Sequence, residues 1–193
     1  MRQASGMLLG VCALVAACGG AKPGVRDSAA DTIAVEPVML NAVLIGLGAT
    51  LFIDLWAQIL KRGFGVRSLD YCLLGRWLLH MPERRFAHTS IAAAPSRPRE
   101  CPVGWVAHYT IGAGFAVVFV LMTGAGWMEH PTLLPALVFG IATAAIPLFV
   151  MQPAFGLGVA SSKTLSPNRA RLKSLTTHTV FGLGLYCWAY LLA

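Results

Sequence analysis

The sequence is short of charge. Only 12% of its 193 residues are Asp, Glu, Lys or Arg, whereas 56% are hydrophobic. A soluble domain carries about 25% charged residues, so this composition does not supply an ordinary water-facing surface. The high hydrophobic content equally excludes an intrinsically disordered chain. The composition therefore points to a membrane protein.

Local motifs of soluble enzymes are also missing. Lys163-Thr164 match the last two residues of a phosphate-binding P-loop motif. The match fails, because Leu157 and Ser162 occupy the two positions where that motif needs glycine. No H-E-x-x-H or G-x-S-x-G pattern occurs, so neither a zinc protease nor a serine hydrolase is indicated. The five cysteines are odd in number and form no C-x-x-C pair, so neither a disulfide framework nor a zinc ribbon is predicted.

What the chain does contain is a set of four long apolar segments. Crossing about 30 Å of hydrocarbon takes roughly 20 helical residues, and none of the four segments contains Lys or Arg. They extend over residues 39–60, 104–124, 133–151 and 175–193. The sequence therefore predicts an all-α integral membrane bundle of four transmembrane helices, forming a single domain over residues 39–193.

Basic residues are distributed unevenly between these segments. Twelve of the fifteen lie in the two connections 61–103 and 152–174, whereas the turn 125–132 and the C-terminus have none. Because cytoplasmic loops are enriched in Lys and Arg, both connections are predicted to be cytoplasmic and both ends of the four-helix unit to face outward. The net charge of +7 thus reflects orientation in the bilayer, and no nucleic-acid partner is predicted.

Residues 1–38 differ in character from the rest of the chain. Arg2 precedes an apolar run from Met7 to Ala17, which is too short to span a bilayer but suits a signal-peptide core. The small residues before Cys18 resemble the lipobox of bacterial lipoproteins, in which that cysteine is acylated. We interpret this region as a lipoprotein-like signal peptide and flexible tether. An uncleaved signal anchor and a mis-assigned start, with the true one at Met39, are the alternatives.

One Asp and two His lie inside the predicted spans: Asp54 in the first, His108 in the second and His178 in the fourth. A central Asp costs roughly 2.5 to 3.5 kcal/mol on the insertion scale, so each such group needs a partner. At 1.5 Å per residue, all three lie about 5 to 9 Å from the cytoplasmic ends of their helices. We predict that they form one polar layer near the cytoplasmic face. Small residues that would allow the helices to approach are Gly46, Gly112, Gly140, Ala144 and Gly182.

Further polar residues are predicted to surround this layer. The long first cytoplasmic connection is expected to hold an interfacial helix from Ser68 to His80, with Ser68 as its N-cap. Pro147 is expected to kink the third helix, because it cannot donate to the carbonyl of Thr143. The remaining candidate site residues are Gln152, Arg76, His80, His88, Glu100 and Lys163.

The residue types of the polar layer permit more than one chemistry. An Asp and two His could hold a divalent metal, but single residues on separate helices are a weak signal. A buried hydrogen-bond network that fixes the helices is favoured over a metal site. Asp54, His108 and His178 are therefore only weak metal ligand candidates, and no cofactor is predicted.

A functional polar layer would most simply support proton-linked transport of a small solute, because Asp and His exchange protons near neutral pH. The alternatives are a membrane enzyme acting on lipid headgroups, with the basic loops attracting phosphate, and a structural or assembly partner in a membrane complex. Four helices enclose little volume, so a transporter is expected to form a homo-oligomer in the lipid bilayer.

A series of short motifs runs from Met39 to Ala193. They are Gly48-Ala49-Thr50, Asp54-Leu55-Trp56, Gly75-Arg76-Trp77 with His80 and His88, Gly104-Trp105 with His108-Tyr109, Pro131-Thr132, Pro135-Ala136, Gln152-Pro153-Ala154 with Gly156 and Gly158, Ser162-Lys163-Thr164, and His178 with Phe181-Gly182. With these motifs the chain resembles an uncharacterised family of small bacterial membrane proteins, a domain of unknown function. The resemblance implies a four-helix protein of the bacterial inner membrane and implies no reaction. Residues 1–38 depart from the family pattern, which strengthens the alternative of a mis-assigned start.

Overall fold

The described part of the chain is entirely helical. The computed structural model describes residues 35–66 and 68–193, with side chains from residue 38 onward, so the predicted signal peptide with Cys18 lies outside it. The long helices are α1 (Val35–Phe64), α2 (Tyr71–His80), α3 (Glu100–Thr123), α4 (Leu133–Thr143) and α5 (Pro167–Leu192). Short helical turns cover Met81–Glu83, Ile91–Ala93, Gly126–Glu129, Pro147–Met151, Gln152–Ala154 and Val159–Ser161. The all-α prediction is confirmed for these residues.

Three helical segments of the described chain are long and apolar enough to cross a membrane: Val38–Phe64, Glu100–Thr123 and Leu133–Ala154. Their lengths of 27, 24 and 22 residues exceed the roughly 20 residues that a bilayer requires. They correspond to the first three predicted spans, so the prediction of membrane helices is confirmed for these three. Their outward faces carry exposed apolar side chains such as Leu121 and Leu134, which suit contact with lipid.

The fourth predicted span, 175–193, forms the C-terminal part of α5. This helix begins eight residues earlier, at Pro167, and its first two turns carry three basic residues. It is not among the three segments that are apolar enough to span by themselves. Its centre is enclosed by protein, because every residue from Val180 to Leu185 is buried. That this helix crosses the membrane therefore stays a prediction.

Pro147 disrupts the third span, as predicted. The chain leaves α4 after Thr143 and passes through a π-helical turn, Pro147–Met151, into Gln152–Ala154. Because proline has no amide hydrogen, it cannot bond the carbonyl four residues earlier, and the wider turn absorbs the mismatch. Turns of this kind occur frequently at functional sites, and this one borders the cavity described below.

Glycines allow the helices to meet backbone to backbone. A Cβ added at Gly46 of α1 would lie 2.6 Å from the Cα of Ala113 in α3. One added at Gly140 of α4 would lie 2.6 Å from the Cα of Gly182 in α5. Real Cβ atoms do not approach other carbons this closely, so these contacts require glycine. The predicted role of small residues in helix packing is confirmed at these positions.

The predicted helix of the first connection is present but shorter than expected. It begins at Tyr71, and its N-cap is Asp70, whose carboxylate accepts a hydrogen bond of 2.9 Å from the amide of Cys72. The expectation of Ser68 as the N-cap is wrong, because a carboxylate two residues further on is available to satisfy the first free amides. The helix does not lie alone at an interface, since it packs along α3.

Backbone contact between α2 and α3 fixes this arrangement. A Cβ at Gly75 would lie 2.6 Å from the amide nitrogen of Gly104, and Cys72 is disulfide-bonded to Cys101. The sequence predicts no disulfide framework, and this pair was not foreseen. The two cysteines are 29 residues apart in the sequence, and that spacing carries no sign of the helix packing that brings them together.

Candidate functional site

Asp54 is the centre of a polar cluster to which three helices contribute. Its side chain on α1 is 16% exposed, and Oδ1 lies 3.2 Å from Nε2 of His108 on α3. Oδ2 accepts a hydrogen bond of 2.9 Å from the hydroxyl of Tyr109. Tyr71 of α2 adds a longer contact of 3.5 Å to Oδ1. The structure thus brings Asp54 and His108 together, as the sequence predicts, and adds two tyrosines.

Tyr71 reaches the cluster through the packing of α2 on α3. Its ring stacks on that of His108 with 4.0 Å between centroids and 22° between planes. Burial raises the pKa of Tyr71, and the neighbouring Asp54 raises it further. The phenol therefore stays protonated as a donor to the carboxylate. The other close contact of the cluster is the one between Asp54 and His108, at 3.2 Å.

His178 has a different partner from the one predicted. Its Nδ1 lies 2.8 Å from the hydroxyl oxygen of Thr143 on α4, and that hydroxyl donates to the carbonyl of Gly140 at 2.6 Å. Because a hydroxyl has a single hydrogen to donate, the ring nitrogen is the donor to Thr143. His178 thus ties α5 to α4, and the predicted layer of Asp54, His108 and His178 divides into two groups.

Both groups border one cavity of about 360 Å³, within the usual range for small-molecule sites of about 300 to 1,000 Å³. His108 and His178 line it, together with Thr50 and the π-helical turn at Pro147. Asp54 does not line the cavity but reaches it through His108. The residues that line this cavity all belong to a single chain. The oligomeric state itself stays a prediction.

Arg76 and Glu100 form a clamp at the start of α3. Nε and Nη2 of Arg76 donate to the two carboxylate oxygens at 2.8 and 2.7 Å, and these bonds raise the pKa of Arg76. Nη1 also donates to the carbonyls of Ile91, Ala92 and Ala94 at 3.1 to 3.3 Å. Neither charged residue lines the cavity. This clamp therefore organises the first connection, and bidentate pairs of this kind are strong.

His80 and His88 lie beside this clamp. His80 is fully buried, with Nε2 3.0 Å from the carbonyl of Pro95 and Nδ1 3.3 Å from Arg97. The ring of His88 is 5.1 Å from that of His80, and burial, together with His80, lowers the pKa of His88. Neither histidine lines the cavity, and His80 contacts Pro95, Arg97 and His88 instead of the Asp54 cluster.

Gln152 and Lys163, the two candidates that follow the predicted span 133–151, lie in different environments. Gln152 is buried and accepts a hydrogen bond of 2.7 Å from the hydroxyl of Ser161, and both residues line the cavity. Lys163 is exposed and does not line it. Among the described residues that line the cavity, the one Lys or Arg is Lys173, in the second turn of α5.

Sequence reasoning missed Tyr71, Tyr109 and Lys173 as site residues. Tyr109 could have been found from the sequence, because it directly follows His108 on a predicted span that has to supply hydrogen-bond partners for Asp54. Tyr71 had none, since its position depends on the contact between α2 and α3. Lys173 precedes the predicted span by two residues, where a basic side chain ordinarily contacts headgroups.

The metal candidates do not assemble into a binding site. Residues 35–66 and 68–193 contain no group of three or more His, Cys, Asp or Glu side chains that could hold a metal ion. Asp54 and His108 would need a third ligand, and His178 is instead bonded to Thr143. What the geometry offers is a carboxylate–imidazole contact between Asp54 and His108 and polar side chains in the cavity wall that can form hydrogen bonds to a bound molecule.

Comparison with known proteins gives a family and no activity. No curated protein and no solved structure matches the chain significantly. The family model described as Protein of unknown function (DUF2938) matches residues 43–192, a range that holds most of α1 and all of α2 to α5. It includes Asp54 and the two cavity histidines. The resemblance seen in the motifs is thereby confirmed, and the chain belongs to this family.

Proposed function

We propose that this protein is a four-helix transporter of the bacterial inner membrane that moves a small solute together with a proton. The observation that carries the proposal is that His108 belongs both to the cavity wall and to the Asp54 cluster. It lines the cavity and lies 3.2 Å from a carboxylate oxygen of Asp54. A ligand that touches His108 changes the proton affinity of the pair, because a nearby charge or hydrogen bond shifts a pKa. Binding and protonation are then linked.

In this proposal α5 is the fourth spanning helix and the two basic connections face the cytoplasm. The buried centre of α5 and the twelve basic residues in those connections support this orientation. The cavity is lined by the second half of α1, the middle of α3, the end of the third span and the first half of α5. In this proposal it would extend from the middle of the helices toward the side that carries the basic connections.

Asp54→Asn tests the proton link, because it removes the charge and keeps the side-chain shape. Purified protein in liposomes is challenged on a solid-supported membrane with a panel of small carboxylates, amines and sugars. We expect at least one class to give a current that grows with the proton gradient in the wild type. Asp54→Asn and His108→Gln should give none.

Glu129→Gln is the matched control for loss of a carboxylate. Glu129 is exposed in the short turn Gly126–Glu129 and does not line the cavity, so the variant should keep the wild-type current. Equal currents from Asp54→Asn and the wild type would contradict the proposal. So would the absence of a current with every class of solute.

A purely structural role for the cluster is the second candidate, because both oxygens of Asp54 already have donors within the chain. In that case Asp54→Asn should lower the thermal stability and the yield of purified protein. In the transport proposal the variant stays folded and loses only the current. Size-exclusion chromatography of the detergent-solubilised protein before and after heating separates the two outcomes.

A further inference from the structure

The tautomer of His178 is fixed by its neighbours in α4. Its Nδ1 lies 2.8 Å from Oγ1 of Thr143, and the single hydrogen of that hydroxyl is donated to the carbonyl of Gly140 at 2.6 Å. Nδ1 therefore carries the hydrogen of its bond to Thr143. A neutral imidazole has one N–H group, so Nε2 of the neutral ring carries a lone pair and is a hydrogen-bond acceptor.

This acceptor is open to the cavity. The ring of His178 lines the cavity, and within residues 35–66 and 68–193 its hydrogen bond is the one to Thr143. Nε2 is not among the fully buried atoms that lack a partner, so a molecule in the cavity can reach it. No carboxylate of these residues pairs with the ring. An unpaired charge is costly in a largely apolar wall, which favours the neutral ring.

Gln152 presents the complementary group in the wall of the same cavity. Its Oε1 accepts the hydrogen bond of 2.7 Å from Ser161, which leaves the side-chain NH₂ group as a donor. The described chain supplies no acceptor for this group, which is not fully buried either. A hydroxyl group matches such a wall, because it both donates and accepts, whereas an ionised carboxylate only accepts and an ammonium group only donates.

Apolar side chains line the cavity further along α5. Phe181 follows His178 by three residues, about 4.5 Å at 1.5 Å per residue. Its ring is in edge contact with that of Phe115 on α3, with 6.0 Å between the centroids, and both rings line the cavity. This part of the cavity therefore suits a hydrocarbon chain.

One side of the cavity reaches the lipid-facing surface. Ile111 of α3 and Val150 of the third span line the cavity, yet they are 44% and 55% exposed. Residues that line a cavity and are also exposed mark its mouth. Because this mouth is apolar and lies between two membrane helices, it opens toward hydrocarbon and admits a molecule with a long apolar part.

We propose that the cavity binds a single-chain amphiphile with a neutral hydroxyl headgroup. Hydroxyl groups of the head donate to Nε2 of His178 and accept from Gln152, and the chain lies toward Phe181. The molecule enters from the bilayer between Ile111 and Val150. This inference rests on the proposed transport function, of which it names the solute class. The two hydrogen-bonding groups select the hydroxyl head, and the apolar part of the wall and the lateral mouth select the chain.

Photo-crosslinking of the full chain in lipid nanodiscs tests the inference. The probe is monododecanoylglycerol with a diazirine at the end of its acyl chain, and mass spectrometry locates the labelled peptides. We expect label on the peptides that carry Phe115, Val150 and Phe181. The unmodified ester should displace the probe at concentrations about three- to tenfold lower than dodecanoate, dodecylamine or its own dimethyl ether, whose oxygens cannot donate. A difference of that size corresponds to about one hydrogen bond.

His178→Asn connects the preference to the acceptor. The amide of Asn can donate to Thr143 in place of Nδ1, but Asn has no atom at the position of Nε2. The variant should therefore bind the ester and its dimethyl ether equally. His130→Asn is the matched control, because His130 is exposed and does not line the cavity, and it should keep the preference.

Ile111→Trp tests the entry route. It should reduce the labelling rate, because it narrows an exposed mouth without filling the core. The comparison of the ester with its dimethyl ether uses the wild type and does not depend on the folding of any variant.

Three results would overturn the inference. They are displacement by the dimethyl ether, dodecanoate or dodecylamine as good as that by the ester, an unchanged preference in folded His178→Asn, and labelling no stronger than at the exposed Leu134 and Val138. The ester is also added to the solutes of the current measurement. An Asp54-dependent current with a solute that does not displace the probe would overturn the inference and leave proton-linked transport standing. Specific labelling by the probe without a current from any solute would retain the binding site and overturn the transport function.

Discussion

Asp54 shows how a single charged residue is tolerated inside an apolar helix. An Asp at this depth costs roughly 2.5 to 3.5 kcal/mol on the insertion scale. A hydrogen bond to a charged group contributes about 1.5 to 3 kcal/mol, and Asp54 has one bond to Tyr109 and one to His108. The two contacts are therefore large enough together to offset the cost of placing the carboxylate there.

Tyr109→Phe removes the shortest hydrogen bond to Asp54. We expect the free energy of unfolding to fall by about 1.5 to 3 kcal/mol, measured as a lower melting temperature of the purified protein in detergent. Tyr190→Phe is the matched control, because its hydroxyl is buried without a hydrogen-bond partner in the described chain. Equal losses in the two variants would mean that Tyr109 acts through its ring instead of its hydroxyl.

Sequence reasoning found Asp54 and His108 because ionisable residues stand out in an apolar run and their depth follows from the helical rise. It misassigned His178 because depth does not determine direction. Which face of α5 meets which face of α4 is decided by the contact between Gly182 and Gly140, and that contact places His178 against Thr143. Depth gives the position of a residue along its helix, whereas the residues that form a site also depend on how each helix is rotated about its axis.

Helix contacts in this protein depend on the absence of side chains. At Gly140 and Gly182 the α4 and α5 backbones meet directly, which allows many weak dispersion contacts over the length of the crossing. In a membrane this packing matters more than in water, since lipid chains are as apolar as the helix faces and little hydrophobic energy drives the helices together.

Gly140→Ala should separate α4 from α5, because the new Cβ would lie 2.6 Å from the Cα of Gly182. We expect a loss of about 1 to 3 kcal/mol, the usual cost of overpacking, measured by thermal unfolding. Gly114→Ala on α3 is the control, because nothing lies within 4 Å of its added Cβ. It should be neutral or more stable by up to about 1 kcal/mol. A Gly140→Ala protein as stable as Gly114→Ala would disprove the backbone contact.

The bounds of the helices could be predicted where a single property of the sequence determines them. They could not be predicted where tertiary packing determines them. Length and hydropathy were sufficient for the first three spans, and the missing amide of Pro147 was sufficient for the break in the third. The start of α5 at Pro167, the cap at Asp70 and the Cys72–Cys101 disulfide were not predicted. Each of these features depends on a competing local acceptor or on a helix that is distant in the sequence. The pattern of apolar residues contains no information about either.

The orientation of the whole molecule can be tested with reporter fusions. With both ends outward, alkaline phosphatase fused after Ala193 or after Ala125 should be active, whereas fusion after Ser96 should be inactive. Green fluorescent protein should give the opposite pattern, because it folds when it stays in the cytoplasm and does not fold when it is exported as an unfolded chain. An inactive phosphatase after Ala193 with an active one after Ser96 would reverse the orientation.

The disulfide provides an independent control on that orientation. The proposed topology places Cys72 and Cys101 in the cytoplasm, where thiols are kept reduced. In growing cells a membrane-permeant alkylating reagent should then label both thiols, and the bond should form after purification under oxidising conditions. Complete protection of the pair in intact cells would indicate an oxidising compartment and contradict the topology.

The enclosed position of α5 also has a consequence for the order in which the protein is made. α5 is not apolar enough to count as a span by itself, and its centre is buried in protein from Val180 to Leu185. It follows α1 to α4 in the sequence, so α1 and α4 are already synthesised when it emerges from the ribosome. A ready-made protein surface can then receive a helix that the membrane alone would accept poorly. Truncations from the N-terminus should therefore impair insertion of α5 more than C-terminal truncations impair that of α1.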